Sequence, residues 1–371
     1  MASSKVYFAD MRANPEENIP QKFIRLIETA GIRRIRWRNQ FAAIKIHFGE
    51  EGNMAYLRPQ YAHALVQKLR DLGAKPFLTD ANTLYVGSRK HALEHLDTAY
   101  RNGYSPFSTG AQILIADGLK GTDDVEVPIE GGKHFKTCRI GRAIMDADII
   151  VSLSHFKAHE STGTGGALKN LGMGSGSRAG KMAMHSAGKP EVLEERCIHC
   201  GRCLRECAQD AISFPERAAQ IDYEKCVGCG RCIGACPEDA IRAPGDESNV
   251  VLNEKIGEYA KAVVQKRPGF HIVIATDISP FCDCHSESDT PILPNVGMFC
   301  STDPVALDLA VTERVLQENP LPGSMLEGIK PGSDYFNELH PGTDWRHGVE
   351  YAASLGIGRM EYELIDIGKK N

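Results

Sequence analysis

Eight of the chain's twelve cysteines fall between Cys197 and Cys236, in two copies of one spacing. The first copy is Cys197, Cys200, Cys203 and Cys207; the second is Cys226, Cys229, Cys232 and Cys236, with Pro237 directly after it. Three thiols set two residues apart can meet three irons of one cubane, because a short loop brings every sulfur to the same side. A zinc ribbon uses two separated Cys-x-x-Cys pairs, not three cysteines within seven residues followed by a fourth. A disulfide framework belongs to small secreted domains; this chain has 371 residues, and Met1 to Asp10 has no apolar signal core. The spacing therefore predicts two 4Fe–4S clusters, and thiols that must stay reduced until metallated favour the cytoplasm.

The two copies also form an internal repeat. Arg196 to Cys203 returns as Lys225 to Cys232, and both copies close on Asp-Ala-Ile, at 210–212 and 239–241. Gln220 to Asp222 reads as a short strand returning to the second loop. Residues 190–244 thus resemble the bacterial dicluster ferredoxin module. Ala208 stands where the first copy would usually carry proline, a residue that shapes the turn and supplies no ligand. The resemblance implies that the fourth cysteine of each copy crosses to the other cluster. Cys197, Cys200, Cys203 and Cys236 would hold one cluster; Cys226, Cys229, Cys232 and Cys207 the other.

On both sides of this region the pattern is α/β. Apolar runs at Lys5–Ala9, Phe41–Phe48, Pro76–Asp80 and Asp148–Leu153 alternate with helical stretches at Ile19–Ala30, Arg58–Leu72 and Arg89–Arg101. Ile113–Ala116 and Val125–Ile129 read as further strands, and Ile140–Met145 as a short helix. After residue 245 come a helix at Val251–Gln265, a last strong strand at Phe270–Thr276, a helix at Asp303–Leu316, and closing elements at Trp345–Leu355 and Tyr362–Ile367. Near-continuous apolar strands separated by helices predict a mixed or mostly parallel sheet flanked by helices. The expected organisation is an α/β domain in two parts, 1–188 and 245–371, with an α+β dicluster ferredoxin insert at 189–244. Ligands of such sheets sit beyond the carboxyl ends of the strands, where His47, Asp80 and Asn82 fall.

Four stretches together, Ala43–Glu50, Ser154–Gly174, the cysteine-rich insert and Cys282–Asp308, resemble the uncharacterised iron–sulfur centre proteins built on the domain of unknown function numbered 362. The string Gly165-Gly-Ala-Leu-Lys-Asn-Leu-Gly172 is the most specific part of that likeness. It implies an α/β domain combined with a two-cluster ferredoxin, and no particular reaction.

Outside the clusters, chemistry-bearing residues gather after two strands. His155 and His159 are four apart and on a helix would share one face as paired metal ligands. Phe156 stands where a zinc protease needs its glutamate, which removes that chemistry. Lys157 and Lys169 make anion or carboxylate binding a rival use. The glycine-rich run Gly163–Gly176 matches no Walker pattern, and its backbone N–H groups are candidates to face an anion. After Phe270–Thr276 come Cys282, Cys284 and His285; in an extended segment the two thiols project to one side, as a metal pair or a redox pair. Asp277 and Asp283 add harder ligands, while Cys138 and Cys300 read as packing residues.

The formal charge of −5 points to neither nucleic acid nor an anionic membrane, and no apolar run approaches a spanning helix. Three functions compete. One is an oxidoreductase whose clusters feed a substrate or metal site built from His155, Lys157, His159, Lys169, Cys282, Cys284 and His285, drawing electrons from a ferredoxin or reductase. The second is a non-enzymatic electron carrier or cluster-bearing subunit. The third is a metal-dependent, non-redox enzyme with structural clusters. The first is favoured, because a bare carrier has no need of some three hundred further residues.

Overall fold

The computed structural model describes residues 3–84, 87–185, 189–244 and 248–368. Its centre is an eight-stranded sheet in the order Tyr362–Asp366, Ser4–Asp10, Gly297–Ser301, Gly269–Ala275, Ile149–His155, Phe41–Lys45, Lys75–Asp80, Ile113–Ile115. Seven strands run parallel; Gly297–Ser301 alone is antiparallel to both its neighbours. The expected α/β architecture is therefore present. That antiparallel strand corrects the expectation that Phe270–Thr276 is the last strong strand before the C-terminal closing elements. Its five residues, Gly-Met-Phe-Cys-Ser, are too few to declare a period, and each is buried.

Alternation along the strands decides which core each residue joins. Phe270, Ile272 and Ile274 enter one face with Ile149, Val151 and Leu153; Val273 and Ala275 enter the other with Ile150. Helices Ile19–Thr29 and Pro59–Asp71 cover the first face through Phe23, Leu26, Leu65 and Leu69. Helices Asn249–Val264 and Pro304–Val315 cover the second through Ile256, Ala260, Leu307 and Val311. The helix starts are written in the sequence: Asn18 and Gln21 form a capping box, and Asp303 accepts the Val305 and Ala306 N–H groups, each at 2.9 Å.

The sheet order reverses at one place. From Phe41–Lys45 the chain moves outward to Lys75–Asp80 and Ile113–Ile115, while Ile149–His155 and Gly269–Ala275 lie on its other side. Such a switch point opens a crevice at the carboxyl ends of the strands. Asn170 closes its floor: its Nδ2 donates to the Lys45 carbonyl at 2.9 Å and to Ser154 Oγ at 3.0 Å. The hairpin Asp124–Pro128 with Thr137–Gly141 lies outside the main sheet, and the helix expected from Ile140 begins at Arg142.

The cysteine-rich stretch forms two short helices, Arg202–Glu206 and Arg231–Ala235, and two small ladders, Glu191–Val192 with Ile241–Arg242 and Ile212–Ser213 with Gln220–Ile221. The sequence repeat extends to the backbone. His199 and Gly228, Gly201 and Gly230, and Asp210 and Asp239 occupy matching left-handed positions in the two copies. Cys203, Cys232, Ile212, Ile233 and Ile241 pack together with Leu84 and Met182 from the larger unit. The expected boundaries at 188/189 and 244/245 abut residues 186–188 and 245–247, which lie outside the described residues.

Candidate functional site

The loop after Gly269–Ala275 turns tightly, with the His285 N–H donating to the Cys282 carbonyl at 3.1 Å. The segment is therefore a turn and not the extended run expected, yet the turn still brings both sulfurs together. Asp283, between them, points the other way into the protein. It is fully buried and accepts from His155 Nδ1 at 2.8 Å, with Lys157 Nζ 3.1 Å from its other oxygen. His155 and Lys157 hold its carboxyl far below the usual range against the effect of burial. The Glu50 N–H donates to the Asp283 carbonyl at 2.9 Å, so three segments fix this one residue.

His155 ends its strand with both ring nitrogens engaged, Nδ1 on Asp283 and Nε2 2.8 Å from the Thr276 carbonyl. No nitrogen is left for a metal. His159 does not share a helical face with it, because Lys157–His159 is a strand paired with Gly163–Gly165. His155 and His159 thus serve different places, which corrects the paired-ligand expectation.

His159, Cys282 and Cys284 offer ligand atoms all within 4.8 Å of one another, the spacing of a possible metal site. The hydrogen bonds of His159 argue against that use. Its Nδ1 accepts the Ser161 and Thr162 N–H groups at 3.0 and 3.2 Å, so the proton of the neutral ring sits on Nε2. Burial and the Lys169 charge keep the ring neutral by lowering its pKa, and the ring hydrogen-bonds Cys282. Lys169 Nζ donates to Cys282 Sγ at 3.2 Å. A hydrogen bond from Cys284, together with the Lys169 charge and a hydrogen bond from the neutral His159 ring, holds the buried Cys282 thiol well below its usual range against the effect of burial. Cys284, the partner in that bond, is raised well above it. Lys169, His159 and Cys284 thus all aim donors at Cys282 Sγ, which favours negative charge on Cys282 over Cys284.

Two cavities meet here. The inner one, about 70 Å³, lies at the switch point and is lined by His155, Lys157, Lys169, Cys282 and Cys284. It also holds Lys45, Arg89 and Lys181, three cations that no sequence motif marks. Lys45 is buried against Asp80 at 2.8 Å and Asn170 at 2.7 Å. Burial pulls Lys181 down to about 8. Short of a motif, a lysine inside the apolar run Phe41–Phe48 is the signal that points to Lys45. The outer cavity, about 890 Å³, is lined by His159, His285, Glu160 and Cys284 from the α/β unit, and by Leu193, Arg196, Asp239 and Arg242 from the cysteine-rich stretch. His285 pairs with Glu160, which raises its pKa. A single pocket holding His155, His159, Cys284 and His285 is therefore not what the fold builds; Cys284 lines both cavities and joins them. Asp277 faces Arg58 instead.

The helix donors that the glycine-rich run leads into are taken up by the chain itself and are not open to an outside anion. The first N–H groups of the helix Ala167–Leu171, those of Ala167 and Leu168, go to the buried Asp308 carboxylate at 2.7 and 2.8 Å. Gly166 is glycine because a Cβ would collide with that carboxylate; at Gly174 a Cβ would collide with Lys45 Nζ and the Asn170 carbonyl.

The eight repeated cysteines form no disulfide. Cys207, Cys226, Cys229 and Cys232 line one cavity. The Cys203 thiol is raised by burial and by the neighbouring sulfurs of Cys236, Cys197 and Cys200. Backbone N–H groups of Ala219, Ala211 and Ala240 donate to the sulfurs of Cys197, Cys207 and Cys236 at 3.4, 3.3 and 3.2 Å. As a donor set, thiols grouped in fours with amide hydrogen bonds to sulfur fit 4Fe–4S clusters.

Fold and site define an α/β protein with a polar crevice at a sheet switch point, walled by a cysteine-rich module. The chain belongs to the family described as Domain of unknown function (DUF362), which matches residues 42–313. It is 28% identical over 126 residues to the thylakoid-associated protein sll1697 of Synechocystis, spanning 32% of this chain and about a third of that protein. Among solved structures it is similar to a structural-genomics protein from Thermotoga maritima, with a TM-score of 0.42 and 12% identity over 80% of this chain and 56% of the other. The lactate racemase apoprotein of Thermoanaerobacterium thermosaccharolyticum gives a TM-score of 0.37 and 11% identity, over 73% of this chain and 51% of the racemase. No helix among the described residues is long and apolar enough to cross a membrane.

Proposed function

We propose that this protein is an iron–sulfur oxidoreductase in which the cysteine-rich module supplies electrons to the crevice beside Cys284. The observation that carries the reading is the wall of the outer cavity: Arg196, next to Cys197, and Asp239, three residues after Cys236, face the same space as Cys284 and His159. Cys197, Cys200, Cys203 and Cys236 would hold one 4Fe–4S cluster, and Cys226, Cys229, Cys232 and Cys207 the other. When bound, such clusters would supply single electrons. The chain's own residues do the rest. His159 and His285 place exchangeable protons at the outer cavity, Lys169 holds negative charge on Cys282, and Asp283 fixes the turn that carries both thiols.

Ile198, Leu204, Tyr223 and Val227 are exposed apolar side chains of the module, and Cys200 is exposed as well. Exposed groups of that kind suit docking of a small electron-carrier protein, a ferredoxin or a reductase. The substrate is a small molecule that fits the outer cavity, whose volume lies in the usual range for such sites.

Crossed ligation gives the direct test. In reduced protein prepared without oxygen, Cys236→Ala is expected to remove the same paramagnetic signal as Cys200→Ala, and Cys207→Ala the same signal as Cys229→Ala. Pairing of Cys236→Ala with Cys229→Ala would refute the ligand assignment.

A further inference from the structure

We propose that Cys282 and Cys284 form a redox-active dithiol that exchanges with a small disulfide entering the outer cavity. The inference deepens the oxidoreductase reading and rests on it for the source of electrons. Its geometric basis is separate. The two sulfurs lie within 4.8 Å of each other across a tight turn, Lys169 Nζ lies 3.2 Å from Cys282 Sγ, and the His159 ring is oriented by the Ser161 and Thr162 N–H groups. Cys282 is buried, whereas Cys284 is partly exposed and borders the large cavity. One sulfur is thus placed to meet substrate and the other to resolve.

The exchange balances as follows. Cys284 Sγ attacks one sulfur of the substrate disulfide while its proton crosses to Cys282. The substrate S–S bond breaks, and the departing thiolate takes up that proton. The Cys282 thiolate then attacks Cys284 Sγ, closes the Cys282–Cys284 disulfide and releases the second substrate thiolate. Two electrons from iron–sulfur donors and one proton restore the Cys282 thiolate and the Cys284 thiol. Lys169 and His159 favour the reduced pair, since both donate to the thiolate that the disulfide lacks. The positively charged lysine also explains why the pair is not built as a metal site: its donor occupies one face of the sulfur a metal would take.

The test uses the full chain, purified without oxygen and equilibrated in mixtures of reduced and oxidised dithiothreitol. The protein is acid-quenched, unfolded, alkylated and mapped by peptide mass. The peptide bearing Cys282 and Cys284 is expected to pass from two alkylated thiols to an internal disulfide in one two-electron transition, while Cys138 and Cys300 stay alkylated. Lys169→Met is expected to shift the equilibrium about tenfold toward the disulfide, which is about 30 mV for a two-electron couple. Lys169→Arg is expected to reverse much of that shift. The uncharged probe 2-hydroxyethyl disulfide is expected to oxidise the pair in the native chain and not in Cys284→Ser. Two thiols that remain alkylatable throughout, or a stoichiometric metal ion held by this loop, would overturn the proposal. Iron content separates the two readings. Eight irons without the transition removes the dithiol alone, and the transition in a chain that never takes up iron supports the dithiol while removing the clusters.

Discussion

Asp283 separates the two thiols in sequence and anchors them in space. Its carboxylate is shared by His155 and Lys157, all three side chains being buried. Removing one partner of such a group leaves charge without compensation in a low-dielectric place. Asp283→Asn is expected to cost about 3 to 5 kcal/mol of stability, read as a lowered unfolding temperature, and to loosen the turn carrying Cys282 and Cys284. A variant as stable as the native chain would show that the triad is not what holds the loop. At this scale the sequence is uneven. The cysteines were legible because ligand spacing is local. The role of His155 was not, because its partners Thr276 and Asp283 lie more than a hundred residues along the chain. His159 likewise looks like a ligand until the Ser161 and Thr162 amides fix its tautomer.

Among the elements, the short helix Ala167–Leu171 shows how a glycine-rich string can be read correctly as special and wrongly in purpose. Its N-terminus is filled by Asp308, a carboxylate from inside the helix Pro304–Val315. Burial raises that carboxyl to about 6 even though two amides favour its charged form. A carboxyl whose folded pKa lies above its unfolded value of 3.8 binds a proton more readily in the folded chain. Its contribution is full below about pH 4 and is lost as pH rises through 6. The native protein is therefore expected to lose stability relative to Asp308→Asn between about pH 4 and pH 6, by at most about 3 kcal/mol. A pH-independent difference in melting temperature would contradict this. Long strands and helices were legible through their period and caps. Gly297–Ser301 was not, since a five-residue strand buried on both faces carries no alternation to read.

For the whole molecule, the sheet order places the switch point between Phe41–Lys45 and Ile149–His155, and the inner cavity opens there. The sequence indicated strand ends as the site but not which ends are neighbours, because sheet order is set by long-range pairing. It also merged two cavities into one, since only the fold shows Cys284 standing between a small cationic chamber and a large one walled by the cysteine-rich module. The central claim is that this module holds two clusters able to reduce that site. Iron, sulfide and zinc analysis of protein purified without oxygen tests it most directly. The account predicts about eight irons and eight sulfides per chain, from two 4Fe–4S centres. Stoichiometric zinc with little iron would contradict it.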